Sequence, residues 1–453
     1  MKLNKKRTIF IGFAFMSISM FWQFYDPEIP KILKYTFGMG DTMIGVIMAL
    51  DNVLALFLLP FFGALSDRTE TKYGKRMPYI LLGTAISVVT LFLLIGVANK
   101  PGRLPLFIGL LLVLLVSMGI YRSPAVSLMP DLTPPPLRSN ANAIINLMGA
   151  VGALYTLGMI KVLLKDPKPG ELQNYMPLAI ALGLGMVVSI VILFFSTSEK
   201  NISKKVQQEI ADYEARTGEK IQDEEAVSRD EFKEPEKGEE EGKLFKERHK
   251  VTLPPDVKRS MAFLLASVFL WFTAYNAVTT AFSRYTVVVW KMHAGEYATL
   301  LMIGTIAGVI SFLPIAKIAG KIGRKRTILV GIVCITICFA VAGFLTSIHP
   351  IAKFLFVLMG FGWAAINVNS YPMVVEMSAS SDIGRFTGLY YTFSMAAQIF
   401  TPIFSGFLLE HVSYRTLFPY SVIFALAAFV TMTQVKHGDT KPLREEVKVE
   451  DVD

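Results

Sequence analysis

The chain has 453 residues, 53% of them hydrophobic and 18% charged, with a formal net charge of +9 and a mean hydropathy of +0.48. A soluble domain of this length is less apolar and more charged, so a water-soluble enzyme or binding module is excluded. The positive charge does not indicate nucleic acid, because it sits in short segments between long, nearly uncharged runs.

A helix needs roughly 20 apolar residues to cross a bilayer, and twelve such runs are predicted along the chain. The first, Thr8–Leu33, is too long for a cleaved signal peptide, carries Asp26 and Glu28, and lacks a small-residue cleavage site. Its Asp26-Pro27-Glu28-Ile29-Pro30 stretch also admits a reading as the end of that helix. The second, Ile44–Leu65, contains Asp51 and Asn52. Then follow Pro78–Val97, Leu104–Leu128 with Arg122, Asn140–Leu164 and Tyr175–Phe195.

Residues 196–259 are rich in Lys and Glu and cannot build a core. Lys204–Arg216 within them has the pattern of a short amphipathic helix at the membrane surface, and Pro254-Pro255 breaks the chain again. Six more spans follow: Ser260–Val287, Glu296–Ala319, Thr327–Ser347, Ile351–Met377, Ile383–His411 and Tyr414–Thr433. Cys334 and Cys338, both in the ninth span, read as apolar buried thiols. The expected fold class is an all-α polytopic membrane protein of 12 transmembrane helices in two six-helix halves. Its parts are an N-terminal bundle (1–195), a cytoplasmic linker (196–259), a C-terminal bundle (260–435) and a cytoplasmic tail (436–453).

Basic residues cluster in Lys2–Arg7, Lys72–Arg76 and Lys321–Arg326, all on one side of an alternating topology. By the positive-inside rule both termini are cytoplasmic, the protein being multi-pass in the cell membrane. Lys31, Lys34, Lys100, Arg103, Lys161, Lys165 and Lys168 fall on the other side, so the bias is moderate. The halves echo each other. Gly63…Asp67-Arg68…Gly74-Lys75-Arg76 follows the second span and Gly320-Lys-Ile-Gly323-Arg324-Lys325-Arg326 the eighth. Pro124…Asp131…Arg138 joins spans four and five, and Pro372…Glu376…Arg385 joins ten and eleven.

The stretch Gly63-Ala-Leu-Ser-Asp67-Arg68…Tyr73-Gly74-Lys75-Arg76-Met-Pro78 resembles the signature loop of the major facilitator superfamily. Within it, the loop is similar to that of the glycoside–cation and sucrose–proton symporter families. Arg122-Ser-Pro124…Pro130-Asp131 and Tyr371-Pro372-Met-Val-Val-Glu376 resemble their fourth- and tenth-helix exits. The resemblance implies the major facilitator fold, substrate at the interface of the halves near the midplane, and a conformational gate formed by Gly63, Asp67, Arg68, Gly74, Lys75, Arg76, Asp131, Arg138, Glu376 and Arg385. In that gate Asp67 accepts from a neighbouring helix N-terminus and pairs with a nearby Arg or Lys. The sequence departs from both families where coupling resides. Ala55, Leu59 and Arg122 stand where sodium-coupled melibiose-type symporters have aspartates, and Leu115 falls where sucrose symporters have one.

Charges within spans are costly and face a cavity or a partner. Asp26 and Asp51 fall at similar depths, and two carboxylates sharing a cavity resist ionising together, leaving one able to carry a proton. Arg122 counts roughly 10 Å deeper along its helix. Asp51 is therefore the expected ion-coupling residue, assisted by Asp26 and answered by Arg122, with a static charge network as the other reading. Arg284, near its helix end, is expected to snorkel to the interface.

Sugar sites combine aromatic faces with amides and carboxylates, which makes Trp22, Gln23, Tyr25, Asn52, Tyr275, Asn276, Trp363, Asn367 and Tyr371 candidates, with Gln398 weaker. Asn367 and Asn369, two apart, cannot both face the ligand. No Ser/His/Asp set, metal-ligand cluster or phosphate loop falls in the spans, so neither catalysis, cofactor nor metal is expected. The reading is a secondary active transporter, monomeric, moving a sugar or glycoside with a proton. A drug or amphipathic-solute exporter and a non-transporting membrane sensor remain the alternatives.

Overall fold

In a bilayer core each backbone N–H and C=O must be satisfied within its own segment, so long apolar runs fold as helices. The computed structural model describes residues 1, 3–168, 170–217, 254–377 and 383–439, and 12 helices in it are long and apolar enough to span. The first six are α1 (Lys5–Tyr35), α2 (Asp41–Asp67), α3 (Met77–Ala98), α4 (Leu104–Asp131), α5 (Arg138–Leu163) and α6 (Met176–Ser196). A polar helix, α7 (Glu199–Thr217), follows and starts five residues before the amphipathic pattern suggests. The last six are α8 (Pro255–Val288), α9 (Tyr297–Ile322), α10 (Arg324–Phe344), α11 (Ile351–Glu376), α12 (Ile383–His411) and α13 (Leu417–Thr433). Most of the linker after Thr217 and of the tail lies outside the described residues.

Sequence punctuation explains several boundaries. Pro255 opens α8, where a proline's missing N–H costs nothing. The turns into α3 and α10 carry Gly74 (φ +113°) and Gly323 (φ +95°), conformations that disfavour a Cβ. The alternative reading of the Asp26–Pro30 stretch fails: Pro27 and Pro30 do not end the first helix, which continues to Tyr35. Ser283 Oγ on α8 donates to the Pro27 carbonyl at 2.8 Å, so a neighbouring helix adds a hydrogen bond to the backbone at this turn.

Within the first six helices α1 packs on α5 and α6, α3 on α4 and α6, and α2 on α4; among the last six, α8 packs on α12 and α13, α9 on α11, and α10 on α11 and α13. The two sets meet along α1–α8, α2–α12 and α5–α9. For convenience, the face bearing the start of α1 and the α2–α3 turn is the near face, and its opposite the far face. Among the described residues, hydrogen bonds that join the two sets, such as Lys31–Ala294, Arg284–Asp41 and Ser283–Pro27, lie toward the far face. Helix α2 records the same asymmetry: five of its first nine residues besides Asp41 are buried (Ile44, Gly45, Ile47, Met48, Ala49), but none from 50 to 65. The helices converge at the far face and splay toward the near one.

Candidate functional site

A cavity of about 170 Å³ lies where the two sets of helices meet. From the first set it is lined by Trp22 and Asp26 of α1, Met48, Asp51 and Asn52 of α2, and Arg122 of α4. The second set adds Asn276, Thr279 and Thr280 of α8 with Gln398 and Pro402 of α12. The lining is thus mostly polar: two carboxylates, one guanidinium, three amides and two hydroxyls against one indole, one thioether and one proline. All three charges predicted to act together converge here, on three different helices.

Their geometry differs from a simple ion pair. Among the described residues, no ion pair joins Arg122 to Asp26 or Asp51; its guanidinium carbon lies 5.3 Å from the centre of the Trp22 ring, a cation–π contact. Asp51 accepts from Asn52 Nδ2 at 2.8 Å. Two donors at the cavity, Trp22 Nε1 and Asn276 Nδ2, are buried with no hydrogen-bond partner in the protein. The Asn276 carbonyl is occupied by Thr280 Oγ1 at 2.7 Å and Thr279 Oγ1 at 3.2 Å.

Only some of the candidate ligand residues line this cavity. Trp22, Asn52 and Asn276 do, and Gln398 joins them. Tyr25 is completely buried in the core and Gln23 is absent from the lining. Tyr275 and Trp363 stack on one another, with centroids 3.7 Å apart and planes at 3°. Asn367 Nδ2 donates to the Trp363 carbonyl (3.2 Å) and Asn369 Nδ2 to that of Ala365 (2.8 Å), so both amides are turned to their own helix. Tyr371 lies at the near end among Thr387, Tyr390 and Tyr391.

At the near face five of the predicted gate residues, Gly63, Asp67, Lys75, Arg76 and Asp131, form a connected cluster. Arg76, fully buried, donates from Nε to Asp131 at 2.8 Å, from Nη1 to the Gly63 carbonyl at 3.3 Å and to Ser66 Oγ, and from Nη2 to Asp67. Lys75 Nζ lies 3.2 Å from Asp131 and 3.8 Å from Asp67. Gly63 faces Ser123 of α4, 3.0 Å from where a Cβ would sit. Arg68 is exposed beyond α2. Arg138 Nη2 donates to the Pro130 carbonyl at 3.2 Å. In the second set Glu376 pairs with Arg324, and Arg385 is exposed, 5.9 Å over the Phe386 ring.

Asp67 does not cap a helix N-terminus, as expected of it; that task falls to Glu199, the first residue of α7. Its buried carboxylate accepts from the backbone N–H of Lys75 (2.9 Å), Arg76 (3.0 and 3.1 Å) and Met77 (3.0 Å). A carboxylate suits the positive end of a helix dipole. Asp439 repeats the arrangement, accepting from Arg324 N (2.6 Å) and Lys325 N (3.3 Å) at the start of α10. In each set, an acidic residue from the segment leaving the last helix holds the start of the third. The only sequence signal was a lone acid after each sixth span.

The far face holds charges that sequence reasoning placed wrongly. Arg284 does not snorkel: it is 4% exposed and donates from Nη1 to Asp41 Oδ1 at 2.7 Å. A buried carboxylate on the facing helix makes burial cheaper than the interface. Tyr414 Oη also donates to Asp41 (2.7 Å), and Lys34 pairs with Asp41. Lys31, 3% exposed, pairs with the fully buried Glu28 at 3.1 Å and donates to the Ala294 carbonyl at 2.9 Å. Tyr297 donates to Glu28.

Further out, Asp166 of the α5–α6 loop pairs with His293 of the α8–α9 loop and accepts from Ala294 N at 2.7 Å. Burial alone would raise the Asp166 pKa, but the Ala294 N–H and His293 outweigh it and hold the carboxyl below its usual range. The hydrogen bond and charge of Asp166 raise the pKa of exposed His293.

A family model described as Major Facilitator Superfamily matches residues 11–371 and 354–451. The class B tetracycline resistance protein of Escherichia coli is 22% identical over 391 residues, 85% of this chain and 84% of that one. The sucrose transport protein SUC3 of Arabidopsis thaliana is 28% identical over 136 residues, which covers 26% of this chain and 23% of that protein. The crystal structure of the nucleoside transporter NupG superposes with a TM-score of 0.61 at 16% identity, over 96% of this chain and 100% of that chain.

Proposed function

The chain belongs to the major facilitator superfamily, and on that premise we propose that it is a proton-coupled transporter of a sugar or glycoside, working by alternating access between two six-helix halves. The near face is the cytoplasmic one, and the splay of the helices toward it corresponds to an inward-open state.

The observation that carries the reading is the lining of the central cavity. Carboxylates, amides and hydroxyls from both sets of helices line it, the kinds of group that exchange hydrogen bonds with a polyhydroxylated solute: such a solute offers hydroxyl donors to Asp26, Asp51 and the side-chain oxygens of Asn52 and Gln398. Coupling follows from the two carboxylates. Placed in one cavity with a single guanidinium, they resist being ionised together, so one takes a proton and releases it when the cavity faces the other side. Asp51 carries the proton, Asp26 sets its electrostatic environment, and Arg122 supplies the compensating charge. Held over Trp22 here, Arg122 is free to pair with a carboxylate once the proton leaves. The near-face cluster around Arg76 holds the cytoplasmic ends of α2, α3 and α4 together as they move.

External pH of proteoliposomes during addition of a glycoside panel tests this, with wild type and Asp51→Asn compared. Sugar-triggered alkalinisation that vanishes in Asp51→Asn supports the reading; sugar uptake without proton movement removes the coupling role. A second reading, export of an amphipathic drug, has the tetracycline resistance relative in its favour. The mostly polar lining of the cavity argues against it. Proton-driven efflux of tetracycline with no response to any glycoside would establish it instead.

A further inference from the structure

The buried charges of the far face are not absorbed by the coupling scheme. Asp41 opens α2, is 2% exposed, and is touched from both sides. From its own half comes Lys34; from the other half come Arg284 Nη1 at 2.7 Å and Tyr414 Oη at 2.7 Å. The backbones around it are in direct contact. A Cβ on Gly406 would lie 2.4 Å from the Asp41 carbonyl oxygen, and one on Gly45 would lie 2.0 Å from that of Pro402. Glu410 of α12 accepts from Thr42 N at 2.7 Å, which adds an acid from the second half to the start of α2.

We propose that Asp41 is the positioning residue on which the outer gate closes, and that in each transport cycle it keeps Lys34 while releasing and recapturing Arg284 and Tyr414. The proposal rests on the alternating-access reading above but not on the substrate or the coupling ion. When the gate opens, Lys34 moves with Asp41 because both belong to the first half, so the carboxylate keeps a counter-charge. Arg284 and Tyr414 depart with the second half, and the guanidinium passes from a buried pair into water. Neither state leaves a buried charge unpaired, which is what a two-state element needs to have both states accessible. An interaction made in only one state biases the equilibrium, and one made in both does not. Asp41–Arg284 is of the first kind and Lys34–Asp41 of the second.

The test uses the full chain in intact cells or oriented membranes, without sugar or imposed proton gradient. In a Cys334→Ala, Cys338→Ala background, Ser283→Cys places a thiol at a fully buried position on the α1–α8 seam. Its rate of labelling by an impermeant maleimide added outside reports how often the gate opens. Asp41→Asn leaves Lys34 and Arg284 facing each other without a carboxylate. It should raise the labelling rate by about 10-fold or more, within the range of coupling seen for such switches.

Arg284→Gln should do the same, and the double variant should do no more than the larger single one. Asp41→Glu should return the rate toward that of the parent. Lys34→Gln, which alters a pair common to both states, should change it less than either. Unchanged labelling in Asp41→Asn, or additive effects of Asp41→Asn and Arg284→Gln, would overturn the proposal. Retention of a cooperative melting transition in each variant separates either result from misfolding. Because no sugar or proton movement is measured, failure of the sugar–proton reading leaves this outcome untouched.

Discussion

Replacing Glu199 by Ala removes a single carboxylate that serves three backbone N–H groups at the start of α3. The carboxylate is 3% exposed, and the Arg76 and Met77 amides it serves belong to buried residues, so water replaces it poorly. Loss of a good N-cap costs about 0.5–2 kcal/mol, and the favourable charge at a partly buried helix terminus is worth up to about 2 kcal/mol. The sum, about 1–4 kcal/mol, should fall on the first six helices. At about 2–4 °C per kcal/mol for a unit of 150–250 residues, their melting temperature in detergent should drop by roughly 2–16 °C. Glu199→Gln keeps one acceptor oxygen and loses the charge, so it should fall between. The assay is thermal unfolding of the purified protein followed by intrinsic fluorescence, with Lys200→Ala as a neighbouring control. A drop under about 1 °C for Glu199→Ala would refute the reasoning, because it would mean these amides find other partners at no cost.

Arg76→Ala removes the buried guanidinium that joins Asp67, Asp131, Ser66 and the Gly63 carbonyl and should cost about 1.5–3 kcal/mol, read as loss of folded protein in membranes; Arg76→Lys should recover only part of it. Gly74→Ala should destabilise markedly, since φ is +113° and the added Cβ would lie 2.3 Å from the Glu199 carboxyl, whereas Gly320→Ala meets nothing within 4 Å and should be neutral by the same melting assay. The His293–Asp166 contact ties the far faces together, with Glu296 beside His293 and Lys31 acting on Asp166. Because the His293 pKa is raised in the closed gate, its contribution is complete below about pH 6.5 and is lost as pH rises through the raised value. Labelling at Ser283→Cys, expressed relative to the same reporter carrying His293→Ala, should therefore increase with pH from 5 to 8; a flat ratio would remove the contact from the gate.

What could be read along the chain was whatever depends on one segment alone. The twelve spans were legible because lipid leaves an apolar run no alternative to a helix. Asp67, Asp131 and Arg76 were legible as parts of one gate because motif and topology bring them to one face. Asp26, Asp51 and Arg122 were singled out because a charge in a span is expensive wherever it points. The cavity lining departs from the candidate set where a side chain had two destinations. Asn367 and Asn369 suit a sugar equally well as their own helix carbonyls, and Tyr275 and Trp363 suit a ligand as well as each other.

Composition and hydropathy thus determined by themselves the membrane class, the helix count and the charged residues worth watching, since each follows from the transfer of one segment out of water. Tertiary structure alone decided which charges meet. Arg284 and Asp41 lie 243 residues apart, and nothing local to either says that the other awaits it. A buried ion's position depends on its partner's position, which only the packing of one six-helix set against the other supplies.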